Sequence, residues 1–161
     1  MQNEYDYKKW ANAELIDHIR QIDSDTFPEK FRLAVRLLNH TYVTDQIFKA
    51  HILQQEHGYH WVNTDETPLL TELQKNIAHS DQWFIDYVAK ATDDTLDRLV
   101  SFTFTDGDKG NMTVREILSH LLIHGAYHRG NIGMILADCG VDKPIDIFTR
   151  FLHMSQPQRR V

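Results

Sequence analysis

Apolar residues recur three and four positions apart along most of this chain. Tyr7, Trp10, Ala11, Leu15, His18 and Ile22 share one face and predict an amphipathic first helix over residues 4 to 22. Asp23-Ser24-Asp25 ends it, and Thr26 with Glu29 three places on predicts a capping box, with Pro28 in the first turn, where its missing N–H costs little. A second helix runs to about residue 55. Its inner stripe is Leu33, Leu37, His40, Thr44, Ile47 and His51, widened by Ala34, Leu38 and Phe48. Residues 56 to 68 hold turn formers and aromatics with no helical period, which predicts an ordered loop suited to a crossing connection. Leu73, Ile77, Trp83, Phe84, Tyr87 and Val88 describe a third helix over residues 69 to 91. Residues 100 to 105 alternate apolar with polar before the turn-rich run 106 to 110, the pattern of a short extended arm or hairpin. Thr113 and Glu116 predict a second capping box, opening a fourth helix that reaches Asp138 and stops at Gly140. Residues 145 to 152 predict a short helix across one bundle end. The expected fold is therefore all-α: a four-helix bundle with a long crossover loop between helices 2 and 3, a short extended arm and a short C-terminal helix, in one domain over residues 1 to 161.

Composition narrows the function. At 161 residues, 42% hydrophobic and 25% charged, the chain can bury a core without a staple. A net charge of -6 argues against nucleic acid as the main partner, because phosphate-binding proteins carry a basic footprint. The single cysteine, Cys139, cannot form an internal disulfide, and the polar start lacks a signal-peptide pattern; a cytoplasmic protein is expected. No apolar run approaches the roughly 18 to 20 residues that cross a bilayer, so no membrane role is expected.

Candidate chemistry concentrates in the fourth helix, where His120, His124 and His128 follow one another at four-residue intervals. At about 100° per residue the apolar centre lies among Val114, Leu121, Gly125 and Ile132, and His128 is expected most inward, His120 most peripheral. His120 and His128 are about 12 Å apart along the axis and cannot share one ion. Either His120 with His124 or His124 with His128 forms a pair, and burial favours the second. His40, on the inner stripe of the second helix, is the natural third ligand, since packed helices leave a gap of about 8 to 10 Å that facing imidazoles can close. His51 shares that face but lies about 16 Å farther along. His18 is expected to pack in the core. His57, His60 and Trp61 are expected at a loop tip, and His79 and His153 at the surface.

Several segments resemble the DinB-like family, damage-inducible, metal-binding four-helix bundles of bacteria. Tyr7-Lys8-Lys9-Trp10-Ala11-Asn12 is similar to the family's opening Y-x-x-W-A-N, and residues 38 to 45 around His40 to its second-helix histidine motif. His124-Gly125-Ala126-Tyr127-His128-Arg129-Gly130-Asn131 is similar to its H-x-x-x-H-R-G-[QN] signature, and residues 144 to 152 to its closing segment. The resemblance implies His40, His124 and His128 as ligands of one divalent ion. It also implies an up-down-down-up bundle, often dimeric, and kinship with thiol-dependent transferases and isomerases.

Three neutral imidazoles leave a coordination position open and suit zinc, nickel, iron or cobalt, whereas magnesium and calcium prefer oxygen. The leading expectation is a metal-dependent thiol transferase or hydrolase acting on a small molecule, with a low-molecular-weight thiol as a candidate partner. The rival is a non-catalytic stress-response or interaction protein whose ion fixes the bundle. Tyr42, Asp45 and Tyr127 are expected to pack around the ligands or orient them. Arg129 is expected in a structural ion pair or in solvent, with an anionic substrate group as the alternative partner. Gly125, Gly130 and Gly133, each costing about 1 kcal/mol in a helix, are expected to admit a neighbouring helix.

Overall fold

A computed structural model of the chain describes residues 1–160. Four long helices form the bundle: α1 (Gln2–Ile19), α2 (Pro28–Leu53), α3 (Leu70–Lys90) and α5 (Val114–Asp138). Between α3 and α5 come a one-turn helix α4 (Asp93–Asp97) and a hairpin of β1 (Leu99–Thr103) and β2 (Lys109–Thr113), and after α5 a short α6 (Phe148–Ser155). The architecture is the all-helical bundle with a hairpin arm and short closing helix that the periodicity predicts. The hairpin pairs Val100 with Met112 and Phe102 with Gly110, burying alternate residues of β1. The Thr113–Glu116 capping box is present at the start of α5.

Two hydrophobic layers fix the helix directions. One holds Leu15, Ile19, Val35, Leu38, Leu73, Ile77, Ile132 and Leu136; the other holds Tyr5, Phe48, Ile52, Phe84, Leu118 and Leu121. Chain order through them sends α1 and α5 one way and α2 and α3 the other, an up-down-down-up bundle with α1 and α2 on a diagonal. Because α2 and α3 run in parallel, the sixteen residues between Leu53 and Leu70 must travel back along the bundle. They do so against α2. Asn39 donates to the side chains of Asn63 and Thr64, and Arg36 donates to the carbonyls of Thr64 and Asp65.

A charged layer separates the two apolar ones. Lys8 donates to Asp45 at 2.7 Å and to Asp81 at 2.5 Å, Asn12 donates to Asp81 at 2.9 Å, and all four are buried. Burial would pull the Lys8 ammonium down, but the two carboxylates outweigh it and hold its pKa above the ordinary range. Burial first, and then Asp81, push the Asp45 carboxyl up to about 6 against the pull of Lys8.

Some local expectations are corrected. The Thr26–Glu29 box is absent: α2 begins at Pro28 after Phe27, with no side-chain cap, and the Thr26 hydroxyl donates instead to Asp23. Pro28 at the first helical position leaves Glu29 one place too early to reciprocate. The buried face of α2 is also rotated from the predicted stripe, leaving Leu33 46% exposed while Val35, Asn39 and Asp45 turn inward. Polar residues with buried partners moved that face, and apolar counting gives them no weight. His18 is half-buried, not packed in the core, and its Nδ1 lies 2.7 Å from the Glu14 carbonyl. The α4 turn went unpredicted, although Thr92 caps it by accepting from the Thr95 N–H.

Candidate metal centre

The crevice between α2 and α5 collects three imidazoles, with His40 contributed by α2 and His124 and His128 by successive turns of α5. One ring nitrogen from each lies within 4.8 Å of the others, and no further His, Cys, Asp or Glu joins the group among the described residues. Ring centroids are 4.9 Å apart for His40 and His124, 4.6 Å for His40 and His128, and 4.5 Å for His124 and His128. The Nε2 atoms of His40 and His124 are 3.0 Å apart, within the range of about 3.0 to 3.4 Å that two nitrogens take up on one ion at bonds of about 2.1 Å. All three rings are half-buried, so His128 is not singled out as the innermost.

The surroundings fix the turn of the His40 ring and disfavour the charged forms of His124 and His128. His40 Nδ1 lies 2.7 Å from the Val62 carbonyl; as a donor there it leaves Nε2 with its lone pair facing the cluster. Burial, reinforced by His128, His40, His120 and Lys8, pushes His124 down to about 3. Burial and then His40 lower His128 as well. The Nδ1 of His128 is buried with no hydrogen-bond partner, a costly state that a cation in the cluster would relieve. The donor set and its spacing therefore fit a divalent transition metal. His120 stays outside the triad, its ring 5.4 Å from His124 and 5.2 Å from Phe48.

Beneath the cluster, Arg129 is 5% exposed and pairs with Asp146 at 2.7 Å, and the Tyr7 hydroxyl bonds the same carboxylate. This ties the closing segment to α1 and α5, while the Nη1 of Arg129 is buried without a hydrogen-bond partner. Gly125 makes room for it: a Cβ there would stand 3.3 Å from Arg129 Nη1. The glycine thus admits a side chain of its own helix and, at 3.9 Å, the Lys8 Cε of the neighbouring α1. Tyr42 sits beside Tyr59 of the crossover segment; burial and then Tyr59 push its hydroxyl up to about 12. Tyr127, 67% exposed, stands edge-on to His128, while Asp45 belongs to the charged layer.

Sequence reasoning missed Lys8, Asn12 and Asp81. Their signal was position: Lys8 and Asn12 share the inner face with Tyr5 and Leu15, and Asp81 is one turn from Ile77 and next to the buried Ser80. It also missed the Val62 carbonyl, which no side-chain pattern announces.

Comparison with known proteins agrees with this arrangement. A curated relative, Protein DinB of Bacillus subtilis (strain 168), is 20% identical over 165 residues, covering 96% of this chain and 95% of its own. No solved structure matches the chain, and no helix among the described residues is long and apolar enough to cross a membrane. The sequence profile of the DinB family matches residues 1–160, and with the three-histidine cluster in place the chain belongs to the DinB family.

Proposed function

We propose that the chain is a metal-dependent enzyme acting on a small molecule, with His40, His124 and His128 as the ligands and a low-molecular-weight thiol or water as the nucleophile. The observation that carries this reading is the cluster's open side: three imidazoles converge and, among the described residues, no fourth His, Cys, Asp or Glu joins them. Zinc, nickel, iron or cobalt bound there would supply Lewis acidity, lowering the pKa of a thiol or water and polarising a carbonyl. The chain's own contribution is to turn His40 through the Val62 carbonyl and, by burial, to disfavour the charged forms of His124 and His128. The test is to load the protein with each metal and incubate it with small thiols and a panel of electrophiles. Thiol consumption that follows metal content and disappears in His40→Ala supports a transferase; thiol-independent ester cleavage supports a hydrolase. Silence across the panel at full metal content supports the non-catalytic role and rejects the enzyme.

The active form in this proposal is a homodimer. The outward face of α5 carries Ile123, Tyr127 and Met134, 71%, 67% and 61% exposed, around Gly130, where nothing lies within 4 Å of an added Cβ. A glycine that costs helix stability and admits nothing from its own chain suits close approach by a second copy. Wild type is expected to sediment as a dimer and Tyr127→Glu as a monomer; a monomeric wild type at tens of micromolar rejects this part.

A further inference from the structure

We propose a second metal site, separate from the triad, formed by His51 of α2 and His57 of the crossover segment and suited to nickel, zinc or copper. Gln54 adopts a left-handed conformation (φ 55°) just after α2, and the reversal brings His57 back beside His51. Their ring centroids are 5.2 Å apart at an interplanar angle of 76°. Two imidazoles on one tetrahedral ion, with bonds of about 2.1 Å, put their centroids about 5 Å apart. The pair therefore already stands at ligand spacing.

Neither ring is a loose surface group. His51 lies flat against Phe102, with centroids 4.8 Å apart and planes at 21°, and stands edge-on to Phe48 at 5.8 Å. Phe102 is itself confined, because Gly110 across the hairpin leaves its ring only the space that a Cβ, 2.6 Å away, would take. The Nδ1 of His57 is buried with no hydrogen-bond partner, which leaves a ring nitrogen of this residue uncommitted.

His40 and His51 are eleven residues apart on one helix, about 16 Å along its axis. That excludes a shared ion or a two-metal centre, which needs about 3.5 to 4 Å between metals. With two protein ligands and the remaining positions left to water, the second site is weaker than the triad. Its location at the end of α2 suits capture of an ion from solution.

The test is equilibrium dialysis of the metal-free full-length chain against nickel, followed by elemental analysis. Wild type is expected to take up two ions per chain in two affinity classes. His51→Ala and His57→Gln should each retain only the tight ion, and His128→Ala only the weak one. His57→Gln lies on the crossover segment, outside the helices, so it guards against a His51→Ala variant that fails to fold. Nickel beyond one equivalent should broaden the ring resonances of His51 and His57 in wild type. Saturation of wild type at one ion, two ions still bound by His57→Gln, or broadening confined to His60, His79 and His153 overturns the proposal.

Discussion

His124→Ala is expected to leave a folded protein that no longer retains its ion. His124 is the middle member of the cluster: its Nε2 lies 3.0 Å from that of His40, and its ring is within 5 Å of both His40 and His128. Removing it leaves His40 and His128 on different helices with one face of the ion unheld. Even changes to residues that merely orient ligands cost 10- to 100-fold in affinity, so loss of a ligand should weaken binding by more than about 100-fold. His120→Ala is the matched control. Its ring also touches His124 but stands outside the triad, so the variant should keep most of its metal. Elemental analysis after desalting decides the matter, and full metal content in His124→Ala would refute the ligand assignment. The fold should survive, because the truncated ring is only half-buried.

The second large effect lies in the charged layer. Lys8→Ala leaves Asp45 and Asp81 buried side by side with no cation between them. Breaking a buried pair in this way costs about 3 to 5 kcal/mol, and in a chain of this size each kcal/mol lowers Tm by about 2 to 4 °C. A fall in Tm of about 6 °C or more is expected by calorimetry. The layer also predicts a pH dependence. Because Asp45 titrates at about 6 in the folded protein against an ordinary 3.8, its proton favours folding. That stabilisation is complete below 3.8 and is lost as the pH rises through about 6, a contribution of up to about 3 kcal/mol. The depressed histidines, His124 above all, raise stability with pH in both proteins, so the measure is the difference: the unfolding free energy of wild type minus that of Asp45→Asn should fall between pH 4 and 7, and parallel curves would exclude it. In Lys8→Ala this fall should extend to higher pH, since only Arg129 then offsets the burial of Asp45 and its repulsion from Asp81.

These two sites differ in how far the sequence announces them. His124 and His128 stand one turn apart beside the buried Leu121, Gly125 and Ile132, so helical periodicity alone places them together at the edge of the core. His40 followed from its own stripe, even though the true buried face of α2 is turned toward Val35, Asn39 and Asp45. A quarter-turn error is tolerable there, because an imidazole at a helix edge reaches its neighbour from either side. The charged layer was illegible because its members come from three helices and a buried lysine looks, in sequence, like any surface lysine. The reason for Gly125 was hidden in the same way: it depends on where the Arg129 guanidinium folds, which Asp146 and Tyr7 decide from opposite ends of the chain.

The parallel course of α2 and α3 sets a one-sided rule for insertions and deletions. Leu70 lies in the layer of Val35 and Leu38, so the connection must return along about eighteen residues of α2, about 27 Å. Sixteen residues stretch to about 55 Å at most, so deletions are bounded by that span. Additions meet no such limit, since doubling a loop costs only about 0.6 kcal/mol in closure entropy. The segment that passes the triad and carries Val62 should therefore tolerate insertion more readily than deletion.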